Sequence, residues 1–550
     1  MRILSQILQT ALPHRTAPAP HKLRALFTPT PRPARTMSQE DPAPSPAPGP
    51  VQPAAAAAAA AGLPVVAGFA DLPKLAVAVL APATLGTPEV RKSTSYEGHN
   101  DDMVEFSAVA PCVADRAAAI AIVDAVIAAD PRAARAVGAM VGMAVADSVG
   151  HFFEFLPVVD QPFKSGHGVD ISNLKYTGTY NQFMLEEGQW TDDTAMGLCL
   201  ADSLLASFCR DPATSEFDGS DTRARFHAWW YHGYNNAFAE DTRRGVRVSV
   251  GLGGNISKSL RSIPIGSTPD AIFKADGEDA GNGSLMRLAP VPIRYWADPA
   301  AARRVAVAQS VTTHPGIIAA CCCEFLAFAV QRAIAAAAPI GRAGSDGDEV
   351  VQWLDETAGA FVTQMDAEGR AGSGWDELRR LLASAEPDDS KERSWNWRAK
   401  SLDINGTLTR RGAFYNGYPV SPGYYGAFSI DGLAVALFSV RSTKSFNAAV
   451  ERCVNFLGDA DSTGSMVGQL AGAIYGMAAI DRRLVERMLR WDPRATIPLR
   501  AALLFAAGAA DAPVPPAVEA AADLPRAGCG WETIVPDKDL AKKGFRWWPF

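Results

Sequence analysis

The chain has 550 residues, of which 48% are hydrophobic and 20% are charged, and its formal net charge is −7. A chain of this length can bury a large core, whereas the acidic balance and the lack of a basic cluster interleaved with aromatic residues argue against a nucleic-acid-binding protein. No apolar run reaches the roughly 18 to 20 residues that a transmembrane helix requires, so no membrane span is predicted.

The first 62 residues are rich in Pro and Ala and include an unbroken run of eight alanines. Such a composition buries too little apolar surface to offset the entropy lost on ordering, so residues 1–62 are predicted to be a disordered leader. Six basic residues and no acidic residue precede Glu40, which is typical of an organellar transit peptide. We expect the protein in the cytoplasm, or in a mitochondrion or plastid if residues 1–36 are a transit peptide. Translation starting at Met37 is the alternative.

Downstream of residue 114, the spacing of apolar residues is overwhelmingly helical, and alternating strand-like runs are few. This pattern predicts an all-α protein. We expect an N-terminal extension over residues 63–133, a main domain over 134–505 and a C-terminal tail over 506–550. The predicted helices, in chain order, are Asp115–Ala129, Arg135–Gly150, Thr191–Phe208, Arg303–Thr313, Ile317–Ile334, Ser429–Val440, Ser445–Leu457 and Thr463–Ile480.

Two of these helices carry matching stripes of small residues at four-residue spacing. The stripes are Gly138, Gly142, Ala146 and Gly150 in one helix, and Gly464, Gly468, Gly472 and Gly476 in the other. A glycine inside a helix costs roughly 1 kcal/mol relative to alanine, so four of them imply a compensating close contact. We therefore predict that the two helices cross at short distance in the core.

Two acidic clusters, Gly188–Thr194 and Gly458–Thr463, lie about 265 residues apart, and each runs into a helical pattern. Four carboxylates about 4 Å apart would repel by roughly 4 kcal/mol per adjacent pair at an effective dielectric constant of 20. If the clusters converge, divalent cations must therefore neutralise them. The neighbouring hydroxyl groups suit a hard, oxygen-preferring ion such as magnesium, calcium or manganese, and not zinc.

The local geometry of each cluster suits metal ligands, but each cluster also has a simpler explanation, which is helix capping. Thr191 is a natural N-cap, which leaves Asp192 and Asp193 in the first helical turn, where the helix dipole favours anions. Such capping residues are common without any metal. In an extended loop, Asp459 and the aspartate two positions later would project to one side, and Ser462 would cap the following helix.

Residues 335–411 interrupt the helical pattern with Gly-rich and acid-rich sequence. This segment is predicted to be an insertion with one or two surface helices.

Five ordered blocks between residues 134 and 500 resemble the ADP-ribosylglycohydrolases, the family that includes the dinitrogenase-reductase-activating glycohydrolase. Gly142–Gly150 is similar to the family's first core helix, with Glu154 just beyond it. The other blocks are Thr191-Asp192-Asp193-Thr194, Gly281-Asn282-Gly283-Ser284-Leu285-Met286-Arg287-Leu288-Ala289-Pro290, Thr313-His314-Pro315 and Gly458–Gly476. Ala460 and Ser462 replace the commoner threonines of the last block, which puts the choice of substrate in doubt.

The resemblance implies a compact multi-helix orthogonal bundle and a magnesium-dependent hydrolase. The implied reaction cleaves the glycosidic bond between ADP-ribose and a protein side chain or small-molecule acceptor, so the expected partner is an ADP-ribosylated protein or an ADP-ribose conjugate. A monomer is expected. The two implied Mg²⁺ ions would be bound by Thr191, Asp192, Asp193, Asp459, Asp461 and Ser462.

Candidate catalytic and substrate-binding residues follow from the same blocks. Glu154 is the first candidate for the general acid or base, Asp193 or Asp461 acting from the metal site is the second, and a merely structural Glu154 is the third. The substrate contacts implied by the resemblance are Asn282, Gly283, Ser284 and His314. The competing interpretations are a tight turn for the Gly-Asn-Gly sequence and a helix start for His314.

Two other functions stay open. One is a catalytically weak ADP-ribose-binding protein, and the other is a di-metal hydrolase of another nucleotide or sugar phosphate. The residues do not decide whether the acceptor is arginine, serine, an acetyl group or another group.

Overall fold

The computed structural model describes residues 66–511, apart from gaps at 67, 81–86, 88–89, 91–112, 114, 161–165, 213–215, 276–279, 342–346 and 413–422. The predicted leader over residues 1–62 and the part of the predicted tail beyond residue 511 lie outside the described residues.

Within the described ranges, the chain forms seventeen α-helices and one small sheet. The first nine helices are α1 (Leu72–Leu80), α2 (Arg116–Ala129), α3 (Ala133–Gly150), α4 (Asp192–Arg210), α5 (Gly219–His232), α6 (Gly254–Arg261), α7 (Pro290–Arg294), α8 (Pro299–Ser310) and α9 (Ile317–Ala335). The others are α10 (Asp348–Ala367), α11 (Ser373–Ala383), α12 (Ile404–Arg411), α13 (Ser429–Arg441), α14 (Phe446–Val454), α15 (Ala460–Tyr475), α16 (Arg482–Trp491) and α17 (Thr496–Gly508). The predicted all-α class is confirmed.

The sheet is a short hairpin between α3 and α4. Its strands, β1 (Gly168–Asp170) and β2 (Lys175–Thr177), pair antiparallel with Gly168 opposite Thr177.

Helix boundaries differ from the predictions where the backbone leaves the helical region. The helix predicted over Thr463–Ile480 begins at Ala460 and ends at Tyr475, because Gly476 adopts φ +79°. The helix predicted to reach Leu457 ends at Val454, and Leu457 itself has φ +65°. The end of the earlier helix at Val454 and the start of the later one at Ala460 lie next to the second acidic cluster, where the chain turns sharply.

The predicted close crossing is confirmed for α3 and α15. A Cβ atom added at Gly468 would overlap the carbonyl oxygen of Gly142, and one added at Gly150 would lie 2.5 Å from the Cα of Asp461. The backbones of the two helices therefore touch without intervening side chains. This contact brings the end of α3 against the start of α15.

The remaining core closes around this pair. Helix α17 is buried along its length and packs against α1, α2, α3 and α4, so the predicted N-terminal extension shares the main core. Helix α9 is long and apolar enough to cross a membrane, but 89% of its most apolar 18-residue window is buried inside the fold. A core helix of this composition is weak evidence for a membrane span.

The insertion contributes more structure than predicted. It contains α10, α11 and α12 in the described residues, and α10 and α11 pack their apolar sides against α9. Buried side chains on those sides include Phe361 of α10 and Leu378 of α11. The insertion thus shares an apolar core with the main domain.

Candidate active site

Two groups of carboxylates meet below the surface where α3, α4 and α15 come together. Oxygens of Asp147, Asp193 and Asp461 lie within 4.8 Å of one another, and so do oxygens of Glu154, Asp459 and Asp461. Asp461 belongs to both groups. The two acidic clusters of the sequence therefore converge as predicted, and their carboxylates are buried.

The fold places these acids at helix ends. Asp192 and Asp193 occupy the first turn of α4, as predicted. The extended-loop prediction for the second cluster is wrong, because α15 begins at Ala460. Asp459 is thus the residue before the helix, and Asp461 is its second residue. The positive ends of both helix dipoles lie beside the acids and partly offset their charge.

The two predicted hydroxyl ligands have protein partners in this structure. Thr191 precedes α4 but makes no capping hydrogen bond, and its hydroxyl lies 2.9 Å from Asp147 Oδ1 and 3.1 Å from Asp193 Oδ2. Ser462 does not cap α15. Its amide donates to Asp461 Oδ1 at 2.9 Å, and its hydroxyl lies 3.5 Å from the sulfur of Met286.

Asp147 is an acidic residue of the site that was not predicted. Its carboxylate accepts hydrogen bonds from the hydroxyl of Thr194 at 2.6 Å and from the backbone amides of Thr191 at 3.1 Å and Thr194 at 3.0 Å. The available signal was a single aspartate next to the small-residue stripe of α3. A charge at such a position must be compensated when the stripe is buried.

Burial and mutual repulsion raise the pKa values of these acids. Burial, partly offset by hydrogen bonds from the threonines, brings the pKa of Asp147 to about 6. Burial, together with the charges of Asp461 and Asp459, raises the pKa of Glu154 well above its usual value. The pKa values of Asp193 and Asp461 rise well above normal for the same reasons.

Two carboxylate oxygens in the site lack any hydrogen-bond donor among the described residues: Glu154 Oε2 and Asp193 Oδ1. Buried carboxylate oxygens are normally paired, so these two atoms call for a cation or a bound water. A set of carboxylates and hydroxyls without His or Cys fits a hard divalent ion. The residues present can therefore bind metal ions.

A cavity of about 570 Å³ opens above the acids, within the usual size of small-molecule sites. Three loops and the acidic clusters form its walls. The lining includes Glu154, Asp192, Gly251, Gly253, Asn255, Lys258, Gly281, Asn282, Gly283, His314, Ile318, Tyr424, Phe428, Asp459, Asp461 and Ser462. Thr191 and Asp193 lie beneath the cavity and do not line it.

The Asn-Gly loop reaches the cavity through Asn282 and Gly283. The Asn282 side chain donates to Asp459 Oδ2 at 2.7 Å, and its backbone amide donates to the Ala427 carbonyl at 2.8 Å. Asn282 therefore also orients a carboxylate of the site. The prediction for Ser284 needs correction, because its side chain is fully buried and accepts a hydrogen bond from Ser310 at 2.9 Å behind the loop.

His314 lines the cavity and does not start a helix, since α9 begins at Ile317. Its ring packs against the Asn-Gly loop, and a Cβ added at Gly283 would lie 2.8 Å from the ring. Burial lowers the pKa of His314 to about 3, so the ring is neutral at neutral pH.

Two further loops at the cavity were not predicted as site elements. Gly251 has φ +86°, and a side chain there would overlap the carboxylate of Asp192. Tyr424 and Phe428 come from the segment between the insertion and α13, and the Tyr424 ring stacks on Phe155 at 5.6 Å with an interplanar angle of 14°. In the loop around Gly251, the glycines do not follow a predicted strand, so their spacing did not indicate a binding site.

The chain is similar to proteins of known activity. The family model described as ADP-ribosylglycohydrolase matches residues 128–512, which is more than half of the chain. The ADP-ribosylarginine hydrolase Tri1 of Pseudomonas putida (strain GB-1) is 27% identical over 364 residues, covering 64% of this chain and 74% of that protein. The protein of the same name from Serratia proteamaculans (strain 568) is 25% identical, covering 65% of this chain and 76% of its own length.

Two further similarities are to another glycohydrolase and to a solved structure. The ADP-ribosyl-[dinitrogen reductase] glycohydrolase of Rhodospirillum rubrum is 25% identical over 343 residues, covering 62% of this chain and 86% of that protein. A solved structure described as an ADP-ribosylglycohydrolase-related protein complex is 24% identical, covers 68% of this chain and 99% of its own, and superposes with a TM-score of 0.43.

Proposed function

Because the chain belongs to the ADP-ribosylglycohydrolase family, we propose that it hydrolyses the bond between ADP-ribose and an arginine side chain of a protein, with two magnesium ions in the acidic site. The enzyme class follows from family membership. The arginine acceptor is supported by the relatives that are named for ADP-ribosylarginine hydrolysis. The R. rubrum relative, which acts on an ADP-ribosylated protein, supports a protein-linked substrate.

One observation carries the magnesium proposal: Asp461 is shared by two groups of three buried carboxylates at the cavity floor. A shared carboxylate between two clusters is the arrangement that holds two cations in one site. Asp147, Asp193 and Asp461 would hold one ion, and Glu154 or Asp459 with Asp461 the other, with Asp192 and Ser462 beside them at the cavity. When bound, magnesium would hold ribose hydroxyls and lower the pKa of a bound water.

Glu154 has the position of a proton acceptor. Its carboxylate lines the cavity, and one of its oxygens has no donor among the described residues. A carboxylate oxygen without a donor at the cavity can accept a proton from a water bound there. We assign Glu154 the removal of a proton from the attacking water at the ribose carbon.

The remaining cavity residues suit the rest of the ligand. The backbone amide of Gly283 and the imidazole of His314 can donate to phosphate or ribose oxygens. The rings of Tyr424 and Phe428 offer flat apolar surfaces for a base. The glycines of the Gly251–Gly254 loop allow a ligand to approach the backbone closely.

The direct test measures ADP-ribose release from arginine-linked, serine-linked and O-acetyl ADP-ribose, with magnesium and with a chelator. We expect rapid release from the arginine conjugate only when magnesium is present. Release from the serine or acetyl conjugate alone would refute the acceptor assignment. Equal rates with the chelator would refute the metal proposal.

Asp461→Asn tests the shared ligand. The substitution removes a charge while keeping the shape, so magnesium affinity and turnover should fall together by at least about 100-fold. The exposed variant Asp389→Asn is the control and should keep both properties. Magnesium titration by calorimetry and the release assay are the measurements, and a fully active Asp461→Asn enzyme would contradict the assignment.

A further inference from the structure

A hydrogen-bonded chain runs from the core to the cavity through three side chains. Arg287 is fully buried, and its Nη2 donates to Thr313 Oγ1 at 2.8 Å. The same hydroxyl oxygen lies 2.8 Å from His314 Nδ1. His314, which is 3% exposed, forms the cavity end of the chain.

The direction of these bonds follows from the chemistry of the groups. A guanidinium can only donate, so the Thr313 oxygen accepts from Arg287. A hydroxyl has one proton, and His314 Nδ1 is the only acceptor within hydrogen-bond distance of it among the described residues. If Nδ1 carried the proton instead, the threonine proton would be buried without an acceptor, which is unfavourable.

The proton of the neutral imidazole must then sit on Nε2. That nitrogen lies on the edge of the ring beside the Asn-Gly loop, 3.1 Å from the position of a Cβ at Gly283 and 3.4 Å from one at Gly281. No protein acceptor faces Nε2 among the described residues, and His314 lines the cavity. An N–H group at this place is available to an oxygen of a ligand.

We propose that Arg287 and Thr313 are positioning residues that hold His314 in the tautomer protonated on Nε2, so that His314 donates a hydrogen bond to an oxygen of bound ADP-ribose. The ligand named here rests on the proposed function. The tautomer itself rests only on the hydrogen bonds of the protein.

Thr313→Val removes the hydroxyl at nearly constant volume. We expect ADP-ribose binding, measured by calorimetry, to weaken about tenfold, the scale of one hydrogen bond, because the tautomer is no longer fixed. Thr313→Ser restores the hydroxyl and should restore affinity. Thr312→Val is the matched control, since the Thr312 hydroxyl also lies near Arg287, at 3.3 Å, but donates to the Gln309 carbonyl and does not touch His314.

A second arm uses the geometry of the glutamine side chain. In His314→Gln, the side-chain amide has a fixed donor nitrogen and no tautomers, so this variant gives a background in which Thr313 has no tautomer to select. Adding Thr313→Val to His314→Gln should then have no further effect. An equal loss in both backgrounds would show that Thr313 acts through folding and would overturn the proposal.

Nitrogen-15 NMR of ring-labelled histidine in the parent protein tests the tautomer without any substitution, with His314→Gln assigning the signal. Protonation on Nε2 is expected, and protonation on Nδ1 would overturn the proposal. A parent protein that binds no ADP-ribose would refute the proposed function, while the NMR result would still decide the tautomer. A parent that binds ADP-ribose but shows no loss in Thr313→Val would overturn this proposal alone.

Discussion

Glu154 and Asp147 show how neighbouring groups give two buried carboxylates different roles. Asp147 accepts hydrogen bonds from two threonines, including one of 2.6 Å from Thr194, and none of its oxygens faces the cavity. Glu154 reaches the cavity from the turn after α3 and keeps one oxygen without a donor among the described residues. Hydrogen bonds hold the Asp147 carboxylate in place. The Glu154 oxygen that has no donor among the described residues can instead exchange a proton with a substrate water.

Glu154→Gln tests this difference. The amide keeps the volume but cannot take up a proton, so turnover should fall by roughly 100-fold, with little change in ADP-ribose or magnesium binding. Single-turnover release and calorimetry measure the two effects. If excess magnesium restores the rate, Glu154 serves the metals. Turnover within about threefold of the parent would exclude Glu154 as the proton acceptor.

Residue identity alone predicted the acids that lie next to hydroxyls at helix starts. Asp192 and Asp461 belong to short clusters in which acids stand beside hydroxyl residues, the composition that predicted a metal site. Asp147 was missed because a single aspartate beside a small-residue stripe is a weak signal, and its partners lie about 45 residues away. Ser284 was misplaced because a three-residue turn directs successive side chains to opposite sides, which composition does not reveal.

At the scale of helices, the α3–α15 crossing determines the geometry of the site. Asp147 lies on α3, and Asp461 lies on α15 beside Gly150, where the two backbones touch. A change in the distance between the helices must therefore change the distance between these carboxylates. The glycine stripes thus serve the site as well as the core.

Gly468→Ala should separate the helices. The new methyl group would overlap the Gly142 carbonyl, so we expect a loss of roughly 1 to 3 kcal/mol in the free energy of unfolding and weaker magnesium binding. Gly359→Ala in α10 is the control, because no atom lies within 4 Å of its added Cβ, and it should stabilise by up to about 1 kcal/mol. Urea unfolding measures both. An unchanged Gly468→Ala protein would contradict the rigid crossing.

The four-residue spacing of glycines predicted this crossing, since only a backbone contact compensates so many helical glycines. Helix ends were less predictable. Ala460 and Asp461 look like loop residues in sequence, yet they are helical because the preceding Gly458 and Leu457 adopt positive φ angles. The place of the Gly251 loop in the site could not be predicted either, because its close approach to Asp192 depends on tertiary packing.

Across the whole molecule, the insertion is joined to the cavity wall by a buried ion pair. Arg411, at the end of α12, has a side chain that is 1% exposed and bonds to Asp431 at 2.8 Å. Asp431 lies in the first turn of α13, three residues after the cavity residue Phe428. Trp395 donates to the same aspartate at 2.7 Å.

Arg411→Met should leave Asp431 buried without its cation, which costs about 3 to 5 kcal/mol in the free energy of unfolding. Arg393→Met is the control, because Arg393 is itself partly exposed and pairs with two solvent-accessible acids, Asp388 and Asp403, and such surface pairs each contribute at most about 1 kcal/mol. Denaturant unfolding measures both variants. Equal stabilities would show that the insertion is not bound through this pair.

The carboxylates also make stability depend on pH. The folded pKa values of Glu154, Asp193 and Asp461 lie well above normal, so metal-free protein should lose stability as pH rises through those values. We expect the melting temperature in chelator to fall as the pH rises above about 4, the usual pKa of a carboxyl group, and magnesium to reduce this fall by favouring the ionised acids. Parallel curves with and without magnesium would contradict the shared metal site.

The distance along the chain between the two acidic clusters has a consequence for biosynthesis. Asp193 and Asp461 are 268 residues apart (461 − 193), so a ribosome adding about 5 to 20 residues per second needs roughly a quarter of a minute to one minute to synthesise the second cluster after the first. Throughout that interval, the nascent chain has half of a cation site and no α15 against which α3 can close. The proposed cation site can therefore be completed only after the start of α15 has been synthesised, and we expect a chain truncated before Ala460 to be unable to hold the ions.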